Sequence, residues 1–177
     1  MSWLKQTHSA DVLLAAPGAC GEGDALWSDR SDLALAITTA DCVPVLLAGA
    51  GCVAAIHAGW RGIVGNIVLH AIARLPVASE RLRAWIGPAI GPCCYEVGED
   101  VAHAVETAAG SPVIHPGRAA RPHLDLVAAV EAQLHARGVT AIERLSPCTR
   151  CNAESWHSYR RDGAAAGRNW AFLWRAS

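Results

Sequence analysis

A histidine, two glycines and an arginine stand close together in the segment Ala54-Ala-Ile-His57-Ala-Gly-Trp-Arg-Gly62. The apolar residues 52–56 predict a buried strand, and the apolar spacing over residues 63–75 predicts a helix. His57 is therefore expected at a strand-to-helix junction, where the free N–H groups of a helix favour an anion, a metal or another ligand. Arg61 adds a fixed positive charge there. The alternative is that His57 is a hydrogen-bonded core histidine and Arg61 an ordinary surface residue.

Cys42 is a second residue with useful chemistry, and it is predicted to lie near His57. Residues 43–48 predict a strand and residues 49–51 a turn, with Cys42 eight residues before Ala50 and His57 seven residues after it. A hairpin that is nearly symmetric about this turn makes Cys42 and His57 close neighbours. Thiolate and imidazole are ligands that Zn²⁺ favours, and a catalytic zinc takes three protein ligands and an exchangeable water.

His8 is the preferred third ligand, because its surroundings are the most irregular and polar among the remaining histidines. Three other histidines fall within predicted helices and are expected to be surface or packing residues: His70, His103 and His135. Asp41, beside Cys42, is a candidate to orient a ligand or to act as a general base. A second interpretation stays open, in which Cys42 is an attacking thiolate and His57 its base, since a neighbouring histidine lowers a thiol pKa.

Two further groups invite a chemical interpretation. Cys148-Thr-Arg-Cys151 has the spacing of half a structural zinc site, but no second such half follows and the adjacent pair Cys93-Cys94 lacks that spacing. A metal site there is therefore the less favoured interpretation. Arg160, Arg161 and Arg168 form a basic group that suits a phosphate or carboxylate, with a solvated basic loop as the alternative.

Apolar runs and turn signals predict a mixed α/β chain around these residues. Strands are predicted at residues 12–15, 33–37, 43–48, 52–56, 82–86, 141–145 and 170–174. Helices are predicted at residues 63–75, 98–109 and 124–137. A polar entry ends at His8, and irregular structure is predicted at residues 17–24, 87–98, 110–122 and 159–163. The acids on either side of residues 25–28, Asp24 and Asp29, are expected to cap local N–H groups.

Length and composition narrow the class of protein. A chain of 177 residues fits one domain over residues 1–177. With 52% hydrophobic and 18% charged residues and a net charge of −1, disorder is excluded and nucleic-acid or membrane partners are not expected. The first residues lack a secretory pattern, and seven cysteines form an odd set. We therefore expect free thiols and a cytoplasmic location.

Six motifs follow one another along the chain. They are Gln6-Thr-His-Ser-Ala-Asp-Val12, Asp24-Ala-Leu-Trp-Ser-Asp29, Thr39-Ala-Asp-Cys-Val-Pro-Val45, His57-Ala-Gly-Trp-Arg-Gly62, Ile86-Gly-Pro-Ala-Ile-Gly-Pro-Cys-Cys-Tyr-Glu-Val-Gly98 and Ser158-Tyr-Arg-Arg-Asp-Gly163. With these motifs the chain resembles the laccase-domain family, also called the multicopper polyphenol oxidase family, over essentially its whole length. Family members usually carry several dozen residues before the first motif, so this chain is expected to be a short member.

The resemblance implies an α+β (mixed α/β) fold, a β-sheet sandwich flanked by helices. It also implies purine nucleoside phosphorolysis with adenosine deaminase activity, and it assigns His8, Cys42 and His57 as metal ligands. Arg61 lies in the most characteristic motif of the family. Three ligands do not supply the set that a multicopper oxidase needs, so zinc is the expected ion and copper the less favoured one.

These observations lead to a functional hypothesis of a zinc-dependent purine nucleoside phosphorylase. It would convert adenosine, inosine or methylthioadenosine and phosphate into free base and ribose 1-phosphate, as a monomer or homodimer. Its catalytic residues would be His8, Cys42, His57, Asp41 and Arg61, with Tyr95, Glu96, Arg160 and Arg161 as cofactor- or substrate-binding residues. Asp41 or Glu96 would transfer the proton in deamination. The alternatives are a cysteine hydrolase or amidase that edits cell-wall precursors, a polyphenol oxidase, and a binding module without catalysis.

Overall fold

A β-hairpin at the centre of the largest of three sheets organises the computed structural model, which describes residues 1–117, 121–145 and 147–176. Its strands, β6 (Val43–Gly49) and β7 (Cys52–Ala58), pair antiparallel from Gly49 opposite Cys52 to Val43 opposite Ala58. This is the symmetric register that the sequence predicts. Every residue of β7 is buried, because the strand is covered on both faces.

The remaining elements follow in chain order. The other strands are β1 (Ser2–Lys5), β2 (Val12–Leu14), β3 (Gly18–Glu22), β4 (Ala25–Ser28), β5 (Leu35–Thr39), β8 (Arg83–Ile86), β9 (Ile114–His115), β10 (His123–Leu124), β11 (Ala141–Arg144) and β12 (Asn169–Leu173). The α-helices are α1 (Trp60–Val64), α2 (Ile67–Arg74), α3 (Glu99–Ala109), α4 (Leu126–Ala136) and α5 (Tyr159–Asp162). In the described part of the chain, no helix combines the length and apolar character that crossing a bilayer requires.

The strands form two large sheets and one small one. The six-stranded sheet has the order β11-β8-β6-β7-β4-β2, the four-stranded sheet β12-β5-β1-β3, and β9 pairs with β10. One core, which includes Leu4, Leu26, Leu35 and Val53, lies between the two large sheets. A second core packs the other face of the six-stranded sheet against α1 to α4. The predicted α+β (mixed α/β) sandwich flanked by helices is therefore confirmed.

Several local predictions differ from the structure. The predicted helix over residues 63–75 is two helices, because Asn66 adopts a left-handed φ of 62° and interrupts the hydrogen-bond ladder between α1 and α2. Residues 17–24 contain strand β3, whose backbone pairs with β1 at a sheet edge although its sequence is glycine-rich and polar. Residues 159–163, predicted as a loop, contain helix α5.

The connector over residues 110–122 also holds structure. Strand β9 lies in it and pairs with β10 (His123–Leu124), which takes Leu124 out of the predicted start of α4. Helix α4 begins instead after Asp125, whose side chain accepts a hydrogen bond from the Ala128 N–H group. Residues 118–120 of this predicted connector lie outside the described residues.

Candidate metal centre and substrate cavity

Three chain segments deliver His8, Cys42 and His57 to one point at the end of the sandwich. His8 follows β1, Cys42 immediately precedes β6, and His57 is the penultimate residue of β7. Their ligand atoms all lie within 4.8 Å of one another. The imidazole rings of His8 and His57 meet edge to face, with centroids 5.0 Å apart. His57 is buried while His8 is exposed, so the group opens toward solvent on the His8 side.

The orientation of the His57 ring is set by Asp24, which lies just before β4. Strand β4 pairs antiparallel with β7, and the His57 N–H group donates to the Asp24 carbonyl oxygen at 2.8 Å. This pairing places Asp24 Oδ1 2.7 Å from His57 Nδ1. Since Nδ1 is engaged by the carboxylate, Nε2 is the ring nitrogen left for a metal ion or substrate.

The same carboxylate holds the loop that carries His8. Asp24 is fully buried and accepts hydrogen bonds from the N–H groups of Thr7 (3.2 Å), His8 (3.1 Å) and Ser9 (2.6 Å). The Ser9 hydroxyl donates to it at 2.8 Å. His8 has a left-handed φ of 60°, a conformation that these contacts stabilise. Asp24 thus positions both histidines, a role that the sequence analysis missed by expecting a local cap.

Mutual charge effects shift the pKa values of the group. Burial opposes ionisation of Asp24, but hydrogen bonds from His57 and Ser9 outweigh it and lower its pKa to about 2. Burial would lower the pKa of His57, yet Asp24 and Cys42 raise it to about 9. Burial would raise the pKa of the Cys42 thiol, whereas His57 and His8 lower it to about 7. The thiol is therefore readily ionised beside two imidazoles.

The donor set and its surroundings fit a metal ion. Two imidazoles and one easily ionised thiol are borderline-soft ligands of the kind that catalytic zinc sites use. Gly59 lies against them, and a Cβ atom there would come within 3.0 Å of Cys42 Sγ and 3.1 Å of His8 Cδ2. The position therefore favours glycine, and a larger residue would displace two of the three ligands.

A cavity of about 640 Å³ opens beside these ligands. Three arginines line it: Arg61, Arg160 and Arg168. The Arg61 guanidinium stacks 4.3 Å from the centroid of the Trp60 ring, and that of Arg160 lies 4.9 Å from the Tyr95 ring centroid. Tyr159 completes the aromatic lining. The cavity thus joins a metal-ligand set, positive charge and aromatic surface, and its volume suits a nucleoside-sized ligand.

Asp41 lies in the cavity wall but does not orient a metal ligand as the sequence analysis considered. Its two carboxylate oxygens accept hydrogen bonds from Thr149 Oγ1 and from the Arg160 N–H group, both at 2.6 Å. Asp41 is buried and has a φ of 95°. Asp41 therefore ties the loop around residue 149 and the start of α5 to the base of β6. The carboxylate that contacts His57 is that of Asp24.

Two of the predicted substrate-binding residues face elsewhere. The Arg161 guanidinium donates to the carbonyl oxygens of Thr149 (3.0 Å) and Trp156 (3.0 Å) and pairs with Asp162. The Glu96 side chain lies 3.9 Å from Arg121, and only its carbonyl oxygen meets Arg160. Neither side chain is among the described residues that line the cavity. The Arg161 guanidinium is occupied by these structural contacts.

The helix after His57 is shorter than predicted, so its N-terminus contributes less to anion binding than the sequence suggested. Helix α1 has five residues and contains Arg61 in its first turn. A helix of this length adds little dipole of its own. Attraction for an anion in this cavity therefore comes from the guanidinium groups, with Arg168 as a contributor that the sequence grouped with Arg160 and Arg161.

A second cluster of potential ligands lies outside the described lining of the cavity. The thiols of Cys93, Cys94, Cys148 and Cys151 have sulfur atoms within 4.8 Å of one another. A metal site at Cys148 and Cys151 was the less favoured interpretation of the sequence, because no matching half-site was visible. That judgement was wrong about the partner, since the adjacent pair Cys93-Cys94 supplies the other two thiols although it lies 57 residues away from Cys151.

Fold and site together define the class of protein: a mixed α/β sandwich with a His-Cys-His ligand set at the mouth of an arginine-lined cavity. Comparison with known sequences identifies the lineage. The family model described as multi-copper polyphenol oxidoreductase laccase matches residues 1–176, and the chain belongs to this family.

Similar proteins carry names of purine-metabolising enzymes. The chain is 37% identical to a purine nucleoside phosphorylase of Pseudomonas aeruginosa, covering 98% of this chain and 73% of the relative. It is 42% identical to a purine nucleoside phosphorylase of Deinococcus radiodurans, covering 96% of this chain and 68% of the relative. A protein named adenosine deaminase RL5, of an unknown prokaryotic organism, is 38% identical over 86% of this chain and 62% of its own length.

A solved structure supports the same grouping. The crystal structure of a Neisseria meningitidis protein of the DUF152 family aligns with a TM-score of 0.90 and 34% identity. The alignment covers 99% of this chain and 74% of that protein. The predicted family resemblance is therefore confirmed in sequence and in fold.

Proposed function

We propose that this chain is a zinc-dependent purine nucleoside phosphorylase that also deaminates adenosine. The observation that carries the proposal is the meeting of His8, Cys42 and His57 with arginine and aromatic side chains in one cavity. The names of the relatives point to the same chemistry. Adenosine, inosine and methylthioadenosine are the proposed nucleosides, with phosphate as the second substrate.

Phosphate binding falls to Arg61, Arg160 and Arg168. Guanidinium groups bind phosphate oxygens through paired, charge-assisted hydrogen bonds. The Arg160 backbone is fixed by Asp41 and its guanidinium by Tyr95 and the Glu96 carbonyl, so this group is held in place before phosphate arrives. Arg61 is held less tightly, through its stacking on Trp60.

The nucleoside would lie against the aromatic lining. Trp60, Tyr95 and Tyr159 offer flat apolar surface for a purine or ribose. Burial raises the pKa of Tyr95 to about 12, so its phenol keeps its proton and can donate a hydrogen bond to the substrate. These contacts would hold the sugar C1′ atom facing the bound phosphate.

Phosphorolysis at this site joins a phosphate oxygen to C1′ as the C1′–N9 bond breaks. The bonding electrons leave with the purine, which takes up a proton, and the products are free base and ribose 1-phosphate. His8, Cys42 and His57 would hold the zinc ion, which supplies Lewis-acid stabilisation of developing negative charge when bound. In the deaminase reaction, water replaces the amino group at C6 and ammonia leaves.

Compartment and organisation are part of the same proposal. All seven cysteines lie among the described residues as free thiols, which supports a reducing compartment such as the cytoplasm. Strands β4 and β7 contribute to both cores, which supports one domain over residues 1–177. A monomer or homodimer remains the expected assembly.

The Arg61→Ala variant tests the phosphate assignment. We expect the KM for phosphate to rise by roughly 30- to 150-fold, about 2–3 kcal/mol, and the KM for inosine to change much less. Lysine at this position should restore part of the loss, because it keeps the charge but not the paired geometry. Arg74→Ala, which removes an exposed charge from the end of α2, is the matched control. Equal increases in the KM values for phosphate and inosine would show that Arg61 does not bind phosphate.

One observation favours a second candidate function, a cysteine hydrolase. The pKa of the Cys42 thiol is lowered to about 7 by His57 and His8, which suits a nucleophile. The two functions separate in one screen of adenosine, inosine and a cell-wall peptide, each with and without phosphate. Purine release that requires phosphate supports the phosphorylase, whereas peptide cleavage by metal-free protein supports the hydrolase.

A further inference from the structure

The four thiols of Cys93, Cys94, Cys148 and Cys151 have the spacing of a closed metal site. Cys151 Sγ lies 3.8 Å from Cys93 Sγ and 3.3 Å from Cys94 Sγ, and all four sulfur atoms lie within 4.8 Å of one another. Tetrahedral zinc with Zn–S bonds of about 2.3 Å separates its sulfur ligands by about 3.8 Å. Small movements of the side chains would therefore complete the coordination shell.

The backbones of the two thiol-bearing loops also contact each other directly. Ala89 and Cys148 form a parallel bridge, and the Thr149 N–H group donates to the Ala89 carbonyl oxygen at 3.0 Å. The Gly91 N–H group donates to Cys148 Sγ at 3.2 Å, a contact that favours the thiolate form. A Cβ atom at Gly91 would lie 3.3 Å from Cys148 Cβ, so the close approach favours glycine.

The charge around the cluster suits a thiolate-bound cation. Four thiolates and one Zn²⁺ ion leave a net negative charge that needs partial compensation. Arg150 lies between the two cysteines of the second loop, and the Arg161 guanidinium donates to the carbonyl oxygens of Thr149 (3.0 Å) and Arg150 (3.2 Å). Arg161, which the substrate cavity does not use, thus places its charge beside this loop.

We propose that Cys93, Cys94, Cys148 and Cys151 bind a second, structural zinc ion distinct from the ion at His8, Cys42 and His57. Four protein ligands would leave no open position for a substrate. The ion would join the loop that carries Tyr95 to the loop whose Thr149 contacts Asp41 and whose end leads to Arg160. Its function would be to hold the aromatic and arginine wall of the cavity in place.

Metal content of purified protein and of cysteine variants tests this proposal. Protein prepared without oxygen should contain two zinc ions per chain, and Cys148→Ser should contain one. Cys42→Ala should also contain one, because it removes the other ion. Cys20→Ser is the matched control, since Cys20 lies on the edge strand β3 away from both clusters, and it should contain two.

Cobalt spectra make the test independent of whether Cys148→Ser folds. Cys42→Ala protein reconstituted with Co²⁺ should show the intense sulfur-to-cobalt absorption of a tetrahedral four-thiolate site. Absence of that absorption, or a Cys148→Ser protein with as much metal as wild type, would overturn the proposal. So would a disulfide between Cys94 and Cys151 in the anaerobic protein, detected as a peptide pair lighter by two hydrogen atoms. These measurements need no nucleoside, so their outcome does not depend on whether the protein is a phosphorylase.

Discussion

Replacing Asp24 with asparagine tests the claim that one buried carboxylate positions two metal ligands. Asp24 accepts five hydrogen bonds of 2.6–3.2 Å, from His57 Nδ1, the Ser9 hydroxyl and the N–H groups of Thr7, His8 and Ser9. Asparagine replaces one of the two acceptor oxygens with an NH₂ group, which can only donate. At least one of the five donor groups would then face NH₂ and lose its hydrogen bond. Loss of such an orienting partner typically weakens metal binding 10- to 100-fold, which is about 1.4–2.7 kcal/mol.

The assay is competition for zinc against a chromophoric chelator, with circular dichroism to show that each protein is folded. Asp29→Asn is the matched control, because it makes the same chemical change at the exposed, opposite end of β4. We expect Asp24→Asn to bind the ion at the His8 site 10- to 100-fold more weakly than Asp29→Asn. Equal affinities in two folded variants would refute the positioning role of Asp24.

Two further predictions concern residues outside the cavity. Arg161→Ala should lower the free energy of unfolding by about 1.5–3 kcal/mol, because the guanidinium loses its hydrogen bonds to the carbonyl oxygens of Thr149 and Trp156. The denaturant midpoint of this variant, compared with that of Arg74→Ala, checks the prediction. An unchanged midpoint would contradict it. Burial, with a smaller effect of the Asp29 charge, raises the pKa of the Cys52 thiol, so at pH 8 iodoacetamide should alkylate Cys52 only after unfolding. Alkylation of Cys52 in the native protein, detected by mass spectrometry, would contradict this prediction.

The short-range part of the site was accessible from the sequence. Cys42 and His57 flank a turn at nearly equal distances, and a hairpin of that kind fixes which residues meet across the strands. The apolar runs likewise predicted the central strands of the larger sheet. In each case the pattern and the contact lie within one continuous segment of the chain.

Contacts between distant segments were not accessible in this way. The Asp24–His57 hydrogen bond follows from the pairing of β4 with β7, which no local pattern specifies. The acid was visible before an apolar stretch, yet its partner lay 33 residues away. The four-cysteine cluster was hidden for the same reason. The break at Asn66 also escaped, because the apolar spacing continues across it.

The most direct test of the central claim is the metal content and phosphorolytic activity of Cys42→Ala, measured beside Cys20→Ala. Cys42 is the sole thiol of the proposed catalytic set, and two histidines alone make an incomplete zinc site. We expect the Cys42 variant to lose one zinc ion per chain and its phosphate-dependent release of hypoxanthine from inosine, whereas the Cys20 variant keeps both. Unchanged metal content in the Cys42 variant, or full activity in protein stripped of metal, would contradict the account.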